Sequence, residues 1–422
     1  MKWYFILSSK VLIKNAAWSA ANHLLARGSL VVVSMILARN LDSSGFAAYS
    51  LFQLTISMIA AYAALGFGVT ASRFFSEFQG ATNVKRYPVG ALWVLSIIGG
   101  VVALVVTLIL PAGLIEEDLD IPRWLLAVGV FSTSLGIVPA GAVLGLEQYR
   151  KAFSVACVTA SFLFFGSYAA VKFQSPVSAM WVLVISNAIN AVGNFLVTLH
   201  IVGIGGLLSS ARLSKDSVGA ILKFAGPMVG VSLLSASGSW LVGRIILSGP
   251  SGPENFALYA IGIQWMALAL FLPGMVSRVL LPRLVKMQNE LHGTDSESRK
   301  LVSSGAMLAL IFAILLAIIG VVLSPLLIAL YGTNLAINQW LLAAFLVAAI
   351  PSAPANTVGN AIVARDGQRA WFTITFLWFF TLIALTLLFS DLGVWAGAVS
   401  HGVASLILIF LSVCFARKRT LL

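Results

Sequence analysis

Arg27 lies near the middle of an apolar run, NAAWSAANHLLARGSLVVVSMILA, from Asn15 to Ala38. Its guanidinium is always charged and offers a planar fork of donors that matches a phosphate or carboxylate. At 100° per residue, with Asn15 at zero, Ser19 falls at about 40°, Asn22 at about 340°, His23 at about 80°, Ser34 at about 100° and Arg27 at about 120°. These polar residues share one side of a helix whose other side is Leu, Val, Ile and Ala. In a bilayer the wet side must turn toward other helices or a water-filled cavity, because a central Arg costs roughly 2.5 to 3.5 kcal/mol even on lenient insertion scales. The bland alternative is a side chain that snorkels to the interface. Arg27 is 13 residues from Lys14 and 12 from Arg39, roughly 18 Å either way along a helix, which is farther than it reaches. The reading preferred is an anion contact in a hydrated cavity.

The other candidates are weaker. His23, one turn before Arg27, has the chemistry of a proton carrier or hydrogen-bond donor, although an intramembrane His, like His401, is more often structural. Arg73, Arg244 and Arg278 lie toward the ends of apolar runs and would add positive field to a central cavity; as interface anchors they need no ligand. Asn187, Asn190, Asn194 and Thr198 fall within a stripe about 80° wide, which suits helix glue first and sugar contacts second. No Asp or Glu occupies the middle of an apolar run: Glu77, Glu147, Asp366 and Asp391 all lie at ends. A carrier of organic cations, or one coupled to Na⁺ or H⁺ through a buried carboxylate, would be expected to keep one there. GxxxxGK, HExxH and CxxC motifs are absent, so no cofactor and no metal site is expected.

The elements that must position these residues follow from composition. Hydrophobic residues are 60% of the 422 and charged residues 9%, and mean hydropathy is +1.00, which excludes an ordinary soluble protein. A spanning helix needs about 20 apolar residues. Twelve such runs predict an all-α polytopic membrane protein with no room for a soluble catalytic domain. The spans read near 15–38, 46–72, 89–110, 124–146, 152–171, 177–202, 224–247, 256–281, 301–330, 338–363, 370–390 and 394–416. Pro351 and Pro354 predict a kinked or locally unwound tenth span, and Gly226 with Pro227 predict a bend in the seventh. With the N-terminus inside, 21 of the 26 basic residues fall in inside segments and four outside, so both termini are expected to be cytoplasmic. The basic charge is dispersed over short loops, which argues against nucleic acid.

The two halves look like copies. Lys14 maps to Lys223, Phe46 and Tyr49 map to Phe256 and Tyr259, and Arg150 with Phe153 maps to Arg369 with Phe372. With the Gly- and Ser-rich 203–223 as linker, residues 1–210 form one six-helix lobe and residues 211–422 the other, around a central cavity. An even number of spans per copy gives both the same orientation, an arrangement in which bundles rock to open a central site alternately to either side. Arg27 itself maps near Ser237, so the charge is not repeated.

Five stretches carry a family likeness: MILARNLDSSGFAAYSLFQL at 35–54, GFGVTASRFFSEF at 66–78, GLEQYRKAFSVA at 145–156, SRVLLPRLVK at 277–286 and NAIVARDGQRAW at 360–371. With them the chain resembles the polysaccharide transporters, which include O-antigen flippases, in the superfamily that also holds multidrug exporters and lipid II flippases. Ala47 stands where the family often has Gly. The resemblance implies twelve helices in two lobes, no enzyme activity, and transfer of a polyprenyl-diphosphate-linked glycan from the inner to the outer leaflet of the cytoplasmic (inner) membrane. Its implied partners are that glycan, the lipid bilayer and glycan polymerase or ligase machinery. A drug or ion antiporter of the same fold is the main alternative. A glycan polymerase or ligase would need a sizeable external loop with acid or base residues, whereas the outer loops here run to about five to ten residues.

Overall fold

In a bilayer every backbone N–H and C=O must be satisfied within the chain, which leaves only helices or closed barrels. The computed structural model is helical throughout, with no strand among the residues it describes: 2–64, 66–79, 88–111, 113, 119–209, 211, 215–275, 295–332, 334–335, 337–365 and 367–419. Among these, eleven helices are long and apolar enough to cross a membrane. Ten of the read spans correspond one to one, and the second corresponds in its first part. The eighth is described only to residue 275, and its helix Gly252–Ala269 opens on Gly-Pro-Glu-Asn, which dilutes its apolar character.

The chain divides into two compact units, residues 1–37 with 51–232 and residues 38–50 with 233–422. In the first unit α1 (Lys2–Asn40) turns into α2 (Ser43–Ala64). Asp42 sets that turn, since its Oδ1 accepts the Gly45 N–H at 2.9 Å, an N-cap bond worth about 1 kcal/mol. The second span then departs from the sequence reading. It breaks at Gly66, whose φ of 73° only glycine adopts freely, and continues as a separate helix α3 (Phe67–Gln79). Next come α4 (Val89–Ile109), α5 (Arg123–Gly145), α6 (Tyr149–Ala170) and α7 (Pro176–Ser209). Arg123 Nη1 donates to the Leu108 carbonyl at the frayed end of α4, satisfying an acceptor the helix cannot.

The core of this unit is built on α5, which packs against α3, α4 and α7. Gly141 and Gly145 meet α3 so closely that a Cβ on either would stand 2.2 Å from the carbonyl oxygen of Gly68 or Ser72. This is a small-xxx-small contact on both helices, the device by which helices associate when lipid supplies no hydrophobic drive.

The linker read at 203–223 proves mostly helical. A non-helical Gly203 interrupts α7, which still runs to Ser209, and α8 (Lys215–Leu247) starts soon after and passes Gly226 and Pro227 without a break. The second unit continues with α9 (Gly252–Ala269), α10 (Asp295–Tyr331), α11 (Gln339–Ala349), α12 (Ser352–Ala364), α13 (Gln368–Leu388) and α14 (Val394–Lys418). The tenth span is divided at Ile350–Pro351, as the proline pattern predicts.

The internal repeat is visible in local geometry. Helix α13 begins 219 positions after α6, and each is followed by a short 3-10 turn, at Val171–Phe173 and Ser390–Leu392. The next residues, Gln174 and Gly393, both have positive φ, 48° and 58°. Phe46, Tyr49, Phe256 and Tyr259 are all fully buried. Replacing Gly145 with Val should cost about 1 to 3 kcal/mol through overpacking against backbone, read as a lower unfolding temperature in detergent. Gly28→Val, at a site with nothing within 4 Å, should leave that temperature within error.

Candidate functional site

Residues 2–40 form one continuous helix, so Asn22, His23, Arg27 and Ser34 do lie along one rod. Arg27 is exposed and has no hydrogen-bond or ion-pair partner among the described residues. His23 is half-buried and engaged with a neighbouring group. Two turns past Arg27 on the same face, Ser34 is fully buried and its Oγ makes no hydrogen bond. The same side of α1 is therefore covered at its outer end and open at Arg27.

The groove between α1 and α6 lies on a different side. Its lining on α1 includes Ala21, Leu24, Gly28 and Val32, and on α6 Phe153, Phe164 and Phe165. Those α1 positions centre about 130° round the helix from Arg27. This cavity of about 560 Å³ is apolar, and Trp18 closes on Phe153 at 5.2 Å between ring centroids. Arg27 thus faces away from the hydrocarbon groove of its own unit.

The remaining candidates are placed as follows. In α7, Asn187 Nδ2 donates to Thr133 Oγ1 of α5 at 2.9 Å. Asn194 is buried and donates to both the side chain and the carbonyl of Asn190, while Thr198 bonds back to Asn194 O. These bonds join α7 to α5 and to itself, which is the glue geometry. Arg73 forms an exposed ion pair with Glu77 one turn on, Nε to Oε1 2.8 Å. Such a pair is worth at most about 0.5 kcal/mol. Arg244 belongs to the second unit, near the end of α8, half-buried and engaged, with its Nη1 atom enclosed. Arg278 lies outside the described residues. At Ser237, the position matching Arg27, the hydroxyl donates to Leu233 O at 2.7 Å, so the second unit has a self-satisfied serine there.

The sequence reading passed over a polar cluster in the second unit. Tyr259 Oη donates to the Ser239 carbonyl at 2.9 Å and lies 3.2 Å from His401 Nε2. The two rings are stacked, and Phe345 meets Tyr259 edge-on. His401 is 2% exposed, so it sits inside a helix junction of α8, α9, α11 and α14 rather than at a surface. Nearby, Trp265 Nε1 donates to Tyr331 Oη at 3.0 Å. Both bonds bridge positions far apart in sequence, and the only sequence signal was the repeat of Tyr49 at Tyr259. No group of three or more His, Cys, Asp or Glu that could hold a metal occurs among the described residues.

The comparisons agree with this architecture. A family model described as "Polysaccharide biosynthesis protein" matches residues 12–288. The chain belongs to that family. Sequence search of the curated proteins gives no match. Solved structures that resemble it include the inward-facing conformation of a multidrug-resistance MATE family transporter of the MOP superfamily, with a TM-score of 0.77 at 14% identity over 94% of each chain. The outward-facing conformation of such a transporter gives 0.71 at 14% identity, covering 97% of this chain and 95% of that one. A MOP superfamily transporter from Pyrococcus furiosus, whose structure is described as having a binding pocket of reversed polarity, gives 0.71 at 13% identity with the same coverage. At these identities the likeness shows the fold: a multi-pass helical membrane protein of the MATE type.

For the buried cluster, Tyr259→Phe should leave His401 Nε2 and the Ser239 carbonyl without their partner and cost about 1 to 3 kcal/mol, measured as a fall in unfolding temperature. In α5 and α7, Thr133→Val and Asn187→Leu together should cost less than the two single changes added, because each single change strands one polar partner.

Proposed function

We propose that the protein is a flippase, not an enzyme, that moves a polyprenyl-diphosphate-linked oligosaccharide, an O-antigen or related surface-glycan unit, from the inner to the outer leaflet of the cytoplasmic membrane by alternating access. The observation that carries this reading is Arg27: a permanent cation in the middle of an apolar helix, on a face open within its own unit and without a protein counter-ion among the described residues. A diphosphate supplies the missing negative charge, and charge-assisted bonds to a planar guanidinium are short and strong. The polyprenyl tail can stay in lipid. The family description as a polysaccharide biosynthesis protein supports a glycan cargo, and the fold shared with transporters described in inward- and outward-facing conformations supports a rocking cycle. Binding that favours one arrangement shifts the population toward it.

The alternative is drug or ion exchange, as the printed descriptions of the MATE relatives suggest for those proteins. It is disfavoured by the apolar spans themselves, in which no carboxylate sits mid-span to hold an organic cation or a coupling ion. Both termini are placed in the cytoplasm by the basic loops, and partner glycan polymerase or ligase machinery would act on the delivered unit outside.

Replacing Arg27 with Ala should abolish surface-glycan export, measured by glycan staining of whole cells, with protein level in the membrane unchanged. Arg27→Lys should retain part of the export, because charge survives while the bidentate fork is lost. Full export by Arg27→Ala would remove Arg27 from the transport site.

A further inference from the structure

A second concentration of positive charge lies in the C-terminal unit, well separated in sequence from Arg27. Helix α12 ends at Ala364, with Arg365 at its C-cap. The Gly367 N–H then returns to the Ile362 carbonyl at 2.9 Å, so the chain reverses tightly and α13 starts at Gln368. Gly367 provides no side-chain cap for that helix. Its first turn, Gln368, Arg369 and Ala370, lines a cavity of about 600 Å³ together with Arg365, Phe415 and Arg419. Arg419 comes from the end of α14 and lies over the Phe415 ring, 5.9 Å from its centroid.

Three guanidiniums from three segments of chain thus border one concavity. The positive end of a helix borders it too, with first-turn amides that no side chain caps. Like charges gathered this way repel unless an anion offsets them. No Asp or Glu lines the cavity; Asp366, in the same turn, lies outside the described residues. The volume is within the range of ligand pockets, and arginine forks with helix amides are the groups that bind phosphate. Every one of these basic residues falls in segments that the charge distribution places on the cytoplasmic side, where anionic headgroups and soluble phosphates are both at hand.

We propose that the Arg365–Arg369–Arg419 cavity is a phosphate-binding site, occupied by the headgroup of an anionic phospholipid or by a soluble phosphate. The site is additional to the transport site around Arg27 and stands independently of it.

The test uses the full chain purified in detergent. Binding of phosphatidylglycerol is followed by native mass spectrometry, and binding of inorganic phosphate by the rise in unfolding temperature. Each arginine near an anionic surface is worth about five-fold in affinity, so the pair Arg365→Gln with Arg369→Gln should weaken phosphatidylglycerol binding by about 25-fold. The charge-matched pair Arg417→Gln with Lys418→Gln, exposed and outside the cavity, should change it less than two-fold. Lipid adducts that depend on the cavity arginines, without a phosphate effect, identify the headgroup as ligand. A phosphate-induced rise lost in the cavity variant identifies soluble phosphate. Equal losses in both pairs, or none in the cavity pair, overturn the proposal. Should the double variant fail to fold, the exposed Arg369→Gln alone carries the same comparison with an expected loss of about five-fold.

Discussion

The cost of an unsatisfied polar group in hydrocarbon governs this structure more than any single contact. Backbone groups meet it by forming helices. Hydroxyls meet it by turning back on their own helix: Thr107, Ser134, Thr198, Thr375, Thr386 and Ser412 are buried, and each donates to the carbonyl four residues earlier. Amides meet it by pairing across helices, as Asn187 does with Thr133. A guanidinium has five donors and cannot satisfy them on one turn of its own helix. Arg27 is therefore the group for which the usual local solution is missing, and that is why it carries the functional argument.

The same constraint explains what was legible in the sequence. Span positions follow from about 20 apolar residues in a row, and the structure places them where the runs predict. The break in the tenth span was readable from Pro351, and the repeat from a few aromatic and basic landmarks. The break at Gly66 was not, because a glycine inside an apolar run gives no sign of whether it will take a positive φ. The helical course through 203–223 was missed for the related reason that Gly and Ser serve as spacers in soluble linkers and as packing residues between membrane helices. Close contact of Gly141 and Gly145 with α3 depends on which helix faces them, which is a property of the fold rather than of the run.

Site legibility divides along the same line. Arg27 was readable because a charge in an apolar run is conspicuous whatever surrounds it. The Tyr259–His401–Ser239 cluster and the Trp265–Tyr331 bond were not, since each joins residues far apart in sequence. The arginines bordering the cavity at the end of α12 were visible only as three more basic residues on the inside. It took the turn at Gly367 and the end of α14 to bring their side chains to one hollow.

The way the chain is apportioned has a bearing on how it can be taken apart. Residues 38–50 group with the C-terminal unit and residues 215–232 with the N-terminal one. A polypeptide severed in the short connection after Ser209 would yield two fragments, each carrying a piece that completes the other. Neither would be whole when made alone, and recovery of the native molecule from separately produced fragments would require them to exchange those pieces as they assemble.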